Sequence, residues 1–156
     1  MMLEVSGVDI WNYIHTHRIV IPTNIYGVMG AGLARAARER YQGLENIYKV
    51  YQKEKDYPTQ PVILNGYETL ILCPTKRKWQ DPSPIELVEA NLKILATYNN
   101  GPYVIPELGC GLGKLTWNDV APLYQVLRNS PAEWIVLHPA RKSYNKGLTY
   151  ADSKRY

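Results

Sequence analysis

The chain has 156 residues, 46% of them hydrophobic and 21% charged, with a net charge of +4 and a pI near 9.0. This excludes a fibrous or low-complexity chain and suits one domain whose core needs no staples. No run of about 18 apolar residues is present to span a membrane, the N-terminus MMLEVSGVDI lacks a basic-then-apolar leader pattern, and two cysteines are too few for a disulfide framework, so a cytoplasmic, reducing setting is expected.

In chain order, MLEVSG reads as a short strand and RIVIPTN (18–24) as a second, its unbroken apolar run typical of a strand covered on both faces. AGLARAARERYQ is Ala-rich and helix-forming, with Leu33, Ala37 and Tyr41 on one face, and a second helical segment follows over 44–53. PVILNG and ETLILCP read as strands joined in a hairpin at Asn65-Gly66. Ser83-Pro84-Ile85-Glu86 reads as a capping box opening a helix with Ile85, Val88, Leu92 and Leu95 inward. YVIPELG is another buried strand. A helix is expected near 118–127 with Val120, Leu123 and Leu127 inward, starting late or kinked at Pro122, and EWIVLHP is the last strand. The alternation predicts a three-layer α/β/α domain over 1–140, its sheet mixed but mostly parallel, followed by a basic tail over 141–156.

In such sheets ligands bind beyond the carboxyl ends of the strands. Three strand ends carry unusual chemistry: IYGVMGAG with glycines 27, 30 and 32, GCGLGK with glycines 109, 111 and 113, and TKRKW after ILCP. Glycine loops bring backbone N–H groups close to an anion, and a following helix N-terminus adds partial positive charge. Two such loops on neighbouring strands could grip a diphosphate from both sides. Neither is a Walker motif, and no G-x-G-x-x-G follows the first strand. A basic run such as KRK is by itself an ordinary solvated loop. His15, His17 and His138 show no metal spacing, and His138 reads as a structural residue.

SGVDIW, PTNIYGVMGAGLA, PELGCGLGKLTW and WIVLHP, in that order over about residues 4–138, resemble the macrodomain family, the ADP-ribose-binding module. TNIYGVMGAGLA, PTKRKW and GCGLGKLTW are most similar to the antitoxin macrodomains of DarT/DarG-type systems, which remove ADP-ribose from thymidine bases in DNA. The terminal ADP-ribose protein glycohydrolase shares this subgroup.

The resemblance implies that Asp9 accepts from the adenine amino group beside Ile10; a helix N-cap is the competing role. It implies that Asn24 bonds the distal ribose, against a plain turn role. It places ADP-ribose against Gly27, Val28, Met29, Gly30, Gly32, Thr75, Gly109, Cys110, Gly111, Leu112 and Gly113. Met29 and Leu112 would wall the cleft or simply pack in the core. Cys110 lacks a histidine partner in sequence and is not expected to be a nucleophile.

Lys76 matches the family's catalytic lysine, with Asn24 beside it, as proton donor to the leaving base or as an amine nucleophile. Arg77, Lys78 and Trp79 would face single-stranded DNA, the cations on phosphate and the tryptophan on a base. At Gly113 the protein-directed relative carries a catalytic aspartate, so its absence favours the DNA-directed type. No metal or cofactor is implied, and a monomer without membrane contact is expected. Two alternatives remain: a binder or sponge of ADP-ribose-type nucleotides that would tolerate loss of Lys76, and an ADP-ribose 1″-phosphatase.

Overall fold

The computed structural model describes residues 1–140; the expected basic tail lies outside them. Among the described residues one sheet contains β1 (Met2–Ser6), β2 (Arg18–Asn24), β3 (Leu70–Lys76), β4 (Tyr103–Pro106) and β5 (Trp134–His138), in spatial order β1-β5-β4-β2-β3. The helices are α1 (Gly32–Arg40), α2 (Leu44–Glu54), α3 (Ile85–Leu95) and α4 (Trp117–Val120), with 3-10 segments at Ile10–Tyr13, Gly111–Gly113 and Ala121–Asn129.

Strand periodicity divides the core into two layers. Val20, Ile71, Cys73, Tyr103, Ile105, Trp134 and Val136 pack with α3, α4 and the Ala121–Asn129 segment. Ile19, Ile21, Leu70, Leu72, Val104 and Leu137 pack on the other face with Ile10, α1 and α2. The three-layer expectation therefore holds.

The antiparallel component is smaller than expected. All pairings among the five strands are parallel, and the antiparallel part shrinks to one bridge between Val62 and Leu72. The Asn65-Gly66 turn does form, with Gly66 at φ +88° and Tyr67 N–H donating to the Leu64 carbonyl. A second turn follows at once, and the Thr69 carbonyl is taken by Ile19 of β2, so the chain joins its parallel partner instead of closing a hairpin.

Two helix starts also differ. Ser83 does not cap α3: its N-cap is Pro84, without a side-chain bond, while Ser83 is buried against Gly113. The last helical region is a one-turn α4, opened by a Thr116–Asp119 capping box, that passes into 3-10 geometry from Ala121, beside Pro122. Val120 and Leu127 are fully buried as expected, together with Tyr124, while Leu123 is partly buried against the same core.

The connections make the site. From β2 the chain moves outward to β3, whereas from β4 it moves the opposite way to β5, so β2 and β4 flank a topological switch point. These two strands pair only at Arg18–Tyr103 and Ile19–Val104 and then part. Pro22 on one and Pro106 on the other lack the N–H that a longer ladder needs. The crevice opens where the ladder stops.

Candidate active site

A cavity of about 500 Å³ fills that crevice. Pro22, Thr23 and Asn24 line it from β2, Pro106 and Glu107 from the end of β4, and Thr75 and Lys76 from β3. Val28 and Gly30–Ala34 close one side, Gly109, Cys110, Leu112, Gly113 and Lys114 the other, and Trp79 and Gln80 also line it.

Each wall is anchored from below. Asn91 of α3 donates to the Pro74 carbonyl at 2.7 Å, steadying the end of β3. A register shift between Thr23 and Asn24 then pairs Asn24 with Lys76 and leaves Thr75 as the extra residue. Such bulges re-aim side chains at functional ends of strands. The Thr75 hydroxyl donates to the Thr23 carbonyl at 3.4 Å. On the other wall the buried Tyr124 hydroxyl donates to the Pro106 carbonyl at 2.5 Å and accepts from Leu108 N–H at 2.7 Å, fixing the entry to the second glycine loop.

The first loop is built by Asn24, whose amide donates to the Val28 carbonyl at 2.7 Å and accepts from Val28 N–H at 3.1 Å. Met29 N–H donates to Glu45 at 2.6 Å. The Val28 and Met29 amides therefore serve the loop. The open donors lie further on: α1 begins at Gly32 with no side-chain cap at Ala31, and its first residues line the cavity. An uncapped helix start presents N–H groups and partial positive charge together, which suits a phosphate.

The glycines divide by cause. A Cβ on Gly27 would meet the backbone of Lys49 at 3.2 Å, one on Gly109 would meet Leu115 at 2.7 Å, and both have positive φ. A Cβ on Gly113 would sit 2.4 Å from the Ser83 hydroxyl. Packing thus explains why this position holds no aspartate. At Gly30 a Cβ would meet only Val28, at 3.9 Å. The fold gives no reason for that glycine, whereas a ligand lying on it would.

Burial lowers the Lys76 ammonium from the usual lysine range; Asp81 pushes it back up and the Lys114 cation lowers it further. Arg77 lies over the Tyr26 ring at 5.9 Å, while Trp79 is 60% exposed.

A second cavity of about 340 Å³ is lined by Gly7, Asp9, Ile10, Trp11, Leu33, Ala36 and Ala140. Leu33, at the start of α1, borders both cavities. Asp9 caps the Ile10–Tyr13 segment by accepting from Trp11 N–H at 3.0 Å, which is the competing role considered for it, yet it also lines this cavity.

Most of the expected residues converge. Asn24, Val28, Gly30, Gly32, Thr75, Lys76, Trp79, Gly109, Cys110, Leu112 and Gly113 line the first cavity, and Asp9 and Ile10 the second. Gly27, Gly111, Arg77 and Lys78 do not line either. Met29, expected as a possible cleft wall, is fully buried in the α1/α2 core layer. Residues that sequence reasoning missed are Gln80, Glu107 and Lys114. Glu107 is buried and meets His138 Nδ1 at 2.5 Å, while His138 Nε2 meets Glu4 at 2.9 Å, which ties the ends of β4 and β5 to the middle of β1.

No family model matches the chain. It is 29% identical over 135 residues to the DNA ADP-ribosyl glycohydrolase of Mycobacterium tuberculosis, covering 80% of this chain and 38% of that protein. It is 32% identical over 133 residues to a DNA ADP-ribosyl transferase-DNA ADP-ribosyl glycohydrolase fusion protein of Thermosipho africanus, covering 67% and 34%. The chain thus spans less than two fifths of the length of these relatives. Among solved structures, the macrodomain of Mycobacterium tuberculosis DarG superposes with a TM-score of 0.73 at 25% identity, covering 90% of this chain and 99% of that one. Thermosipho africanus DarTG in complex with ADP-ribose gives 0.69 at 23% identity, covering 83% and 40%. With the parallel sheet, the two glycine loops and the switch-point crevice, these likenesses identify the chain as a macrodomain of the DarG type.

Proposed function

We propose that this macrodomain binds ADP-ribose and acts as a DNA ADP-ribosyl glycohydrolase, releasing ADP-ribose from thymidine bases, with Lys76 as its catalytic residue. The observation that carries the reading is the position of Lys76, an amine with a lowered pKa in the wall of a cavity that also contains an uncapped helix start and two glycine loops. The names of the mycobacterial and Thermosipho relatives support it, as does the ADP-ribose complex of Thermosipho DarTG.

In this reading the adenosine end occupies the cavity at Asp9 and Ile10. The diphosphate lies over Gly30, Gly32 and the first N–H groups of α1, and the distal ribose reaches Asn24, Thr75, Gly109, Cys110, Leu112 and Gly113. Hydrolysis breaks the bond from the ribose anomeric carbon to the base nitrogen. Water supplies hydroxide to the carbon and, in net terms, a proton to the nitrogen. The Lys76 ammonium donates that proton to the departing base and recovers one from the incoming water. A lowered lysine pKa makes it a stronger acid at this step. The substrate strand is single-stranded DNA, met by Arg77, Lys78 and Trp79, and the working unit is a cytoplasmic monomer.

One observation favours a second reading, binding without turnover: both polar ends of the Asn24 amide are already used to shape the loop. Calorimetry with ADP-ribose tests the shared part of the two readings. Micromolar or tighter one-to-one binding is expected, and no measurable heat at millimolar ligand would overturn both. Product release from a modified oligonucleotide separates them.

A further inference from the structure

Lys114 occupies a backbone position that a lysine does not favour. Its φ is +67° and its ψ 5°, the left-handed region, where a side chain is strained and glycine is not. The two loops use glycine at their other left-handed positions, Gly27, Gly32, Gly109 and Gly111. Three other non-glycine residues with positive φ are described, Asp56, Tyr57 and Asn100, and none of them lines a cavity described above. Strain of this kind persists where the surroundings or a function require it.

Three further observations bear on its side chain. Lys114 is exposed and lines the main cavity, as do Lys76, Trp79 and Gln80. Among the described residues it makes no ion pair. Its charge acts on Lys76. Two ammonium groups at one cavity repel each other unless an anion joins them.

We propose that Lys114 is a positioning residue of the glycohydrolase reaction, its ammonium and that of Lys76 together seating a phosphate of the DNA strand that carries the ADP-ribose. This rests on the reading of DNA as substrate. The diphosphate of ADP-ribose has its own donors at Gly30 and the α1 start, on the first glycine loop rather than the second, where Lys114 lies. Lys114 belongs instead to the exposed rim it shares with Trp79. There a base stacked on the indole would carry its flanking phosphate toward the two lysines. The phosphate would hold the reacting base beside Lys76 and offset the repulsion between the lysines.

The test uses Lys114→Gly, which removes the cation and relieves the backbone, with Lys114→Arg as the conservative variant. A labelled single-stranded oligonucleotide carrying ADP-ribosyl thymidine is titrated by fluorescence anisotropy in a Lys76→Arg background, which keeps the second cation of the seat while turnover is blocked. Lys114→Gly is expected to unfold no earlier than the parent and to bind free ADP-ribose within about twofold. It should weaken the oligonucleotide about tenfold and flatten the salt dependence by about 0.7 in log–log slope; Lys114→Arg should restore both. In the background with Lys76, its loss should raise KM more than it lowers kcat and move the lysine limb of the pH profile upward. Unchanged oligonucleotide affinity and salt slope would overturn the inference. So would an equal loss for free ADP-ribose, which would assign Lys114 to the diphosphate. If the protein releases no ADP-ribose yet Lys114→Gly still weakens the modified strand, the glycohydrolase reading fails and the phosphate seat stands.

Discussion

Asn24 and Lys76 are register partners across the parallel β2–β3 pair, one step out of phase with the Thr23–Pro74 pair that precedes them. This slip brings the residue that shapes the first glycine loop and the cavity's inner lysine to the same strand end. Asn24 spends its amide on Val28, whereas Lys76 keeps its amine toward the cavity and carries its lowered pKa there. The two residues therefore divide the work: one builds the cradle and the other is available to react.

That division gives the first prediction. Lys76→Ala should leave ADP-ribose affinity within about twofold and reduce single-turnover release by about 10²–10⁴-fold, the usual contribution of a positioned acid or base. Lys76→Arg, charged but a far weaker acid, should not rescue the rate. Calorimetry and rapid-quench release from a modified oligonucleotide provide the two readouts. Wild-type rates in Lys76→Ala would remove the residue from the mechanism.

Gly30 supplies the second. Its Cβ position is open, so Gly30→Glu should fold with stability within about 0.5 kcal/mol of the parent, as expected for a surface substitution. The new carboxylate would lie where the diphosphate is placed and should abolish ADP-ribose binding. A thermal melt beside a titration checks both halves, and a variant that binds normally would displace the phosphate from this loop.

The third concerns the position without a carboxylate. Gly113→Asp should destabilise the fold by about 1–3 kcal/mol, because its Cβ collides with the Ser83 hydroxyl and Cβ. Ser83→Gly in the same chain should recover part of the loss, since it removes the atoms in contact. A double-mutant cycle in urea measures the coupling; strictly additive effects would mean the two residues do not compete for the space.

The fourth follows from His138, which faces Glu107 and Glu4 and packs edge-on against Trp117, with Arg128 4.0 Å from Glu4. The hydrogen bond to Glu107 is the main cause that raises the His138 pKa above its ordinary 6.5; burial opposes it and Glu4 assists. The folded state thus holds this proton more tightly than the unfolded chain. The resulting stability is fully present below the unfolded value of 6.5 and is lost as pH rises through the higher folded value. Melting temperature should therefore fall as pH rises above 6.5 and through the higher folded value, and His138→Gln should flatten that fall. Lys76 works in the opposite sense: its depressed pKa means stability rises as the lysine deprotonates, nearer the lysine range. A melt series from about pH 6 to 9 in wild type and His138→Gln separates the two.

Much of this architecture was legible in the chain. RIVIPTN matches β2 residue for residue, because an unbroken apolar run between polar ends has few other uses in a layered domain. The two glycine loops and PTKRKW pointed to the right strand ends. The orientation of individual loop residues was not legible. Met29 turns into the core while Val28 and Gly30 line the cavity, because a loop has no period that assigns a face. The His138–Glu107 bond joins residues 31 apart in sequence and was hidden for the same reason. Lys114 carries no signal in its loop's sequence, since only the backbone angle marks it as unusual. The VIP that recurs in VIPTN and VIPEL was a signal available in advance: a proline on each of two neighbouring strands stops their ladder and opens the crevice.

The central claim is tested most directly by incubating the protein, beside Lys76→Ala, with a single-stranded oligonucleotide ADP-ribosylated on thymidine and following both the strand and free ADP-ribose. The expected result is stoichiometric release of ADP-ribose and an unmodified strand with wild type, and neither with Lys76→Ala. An intact modified strand after prolonged incubation, with ADP-ribose binding demonstrated in parallel, would contradict the glycohydrolase and leave a binding macrodomain.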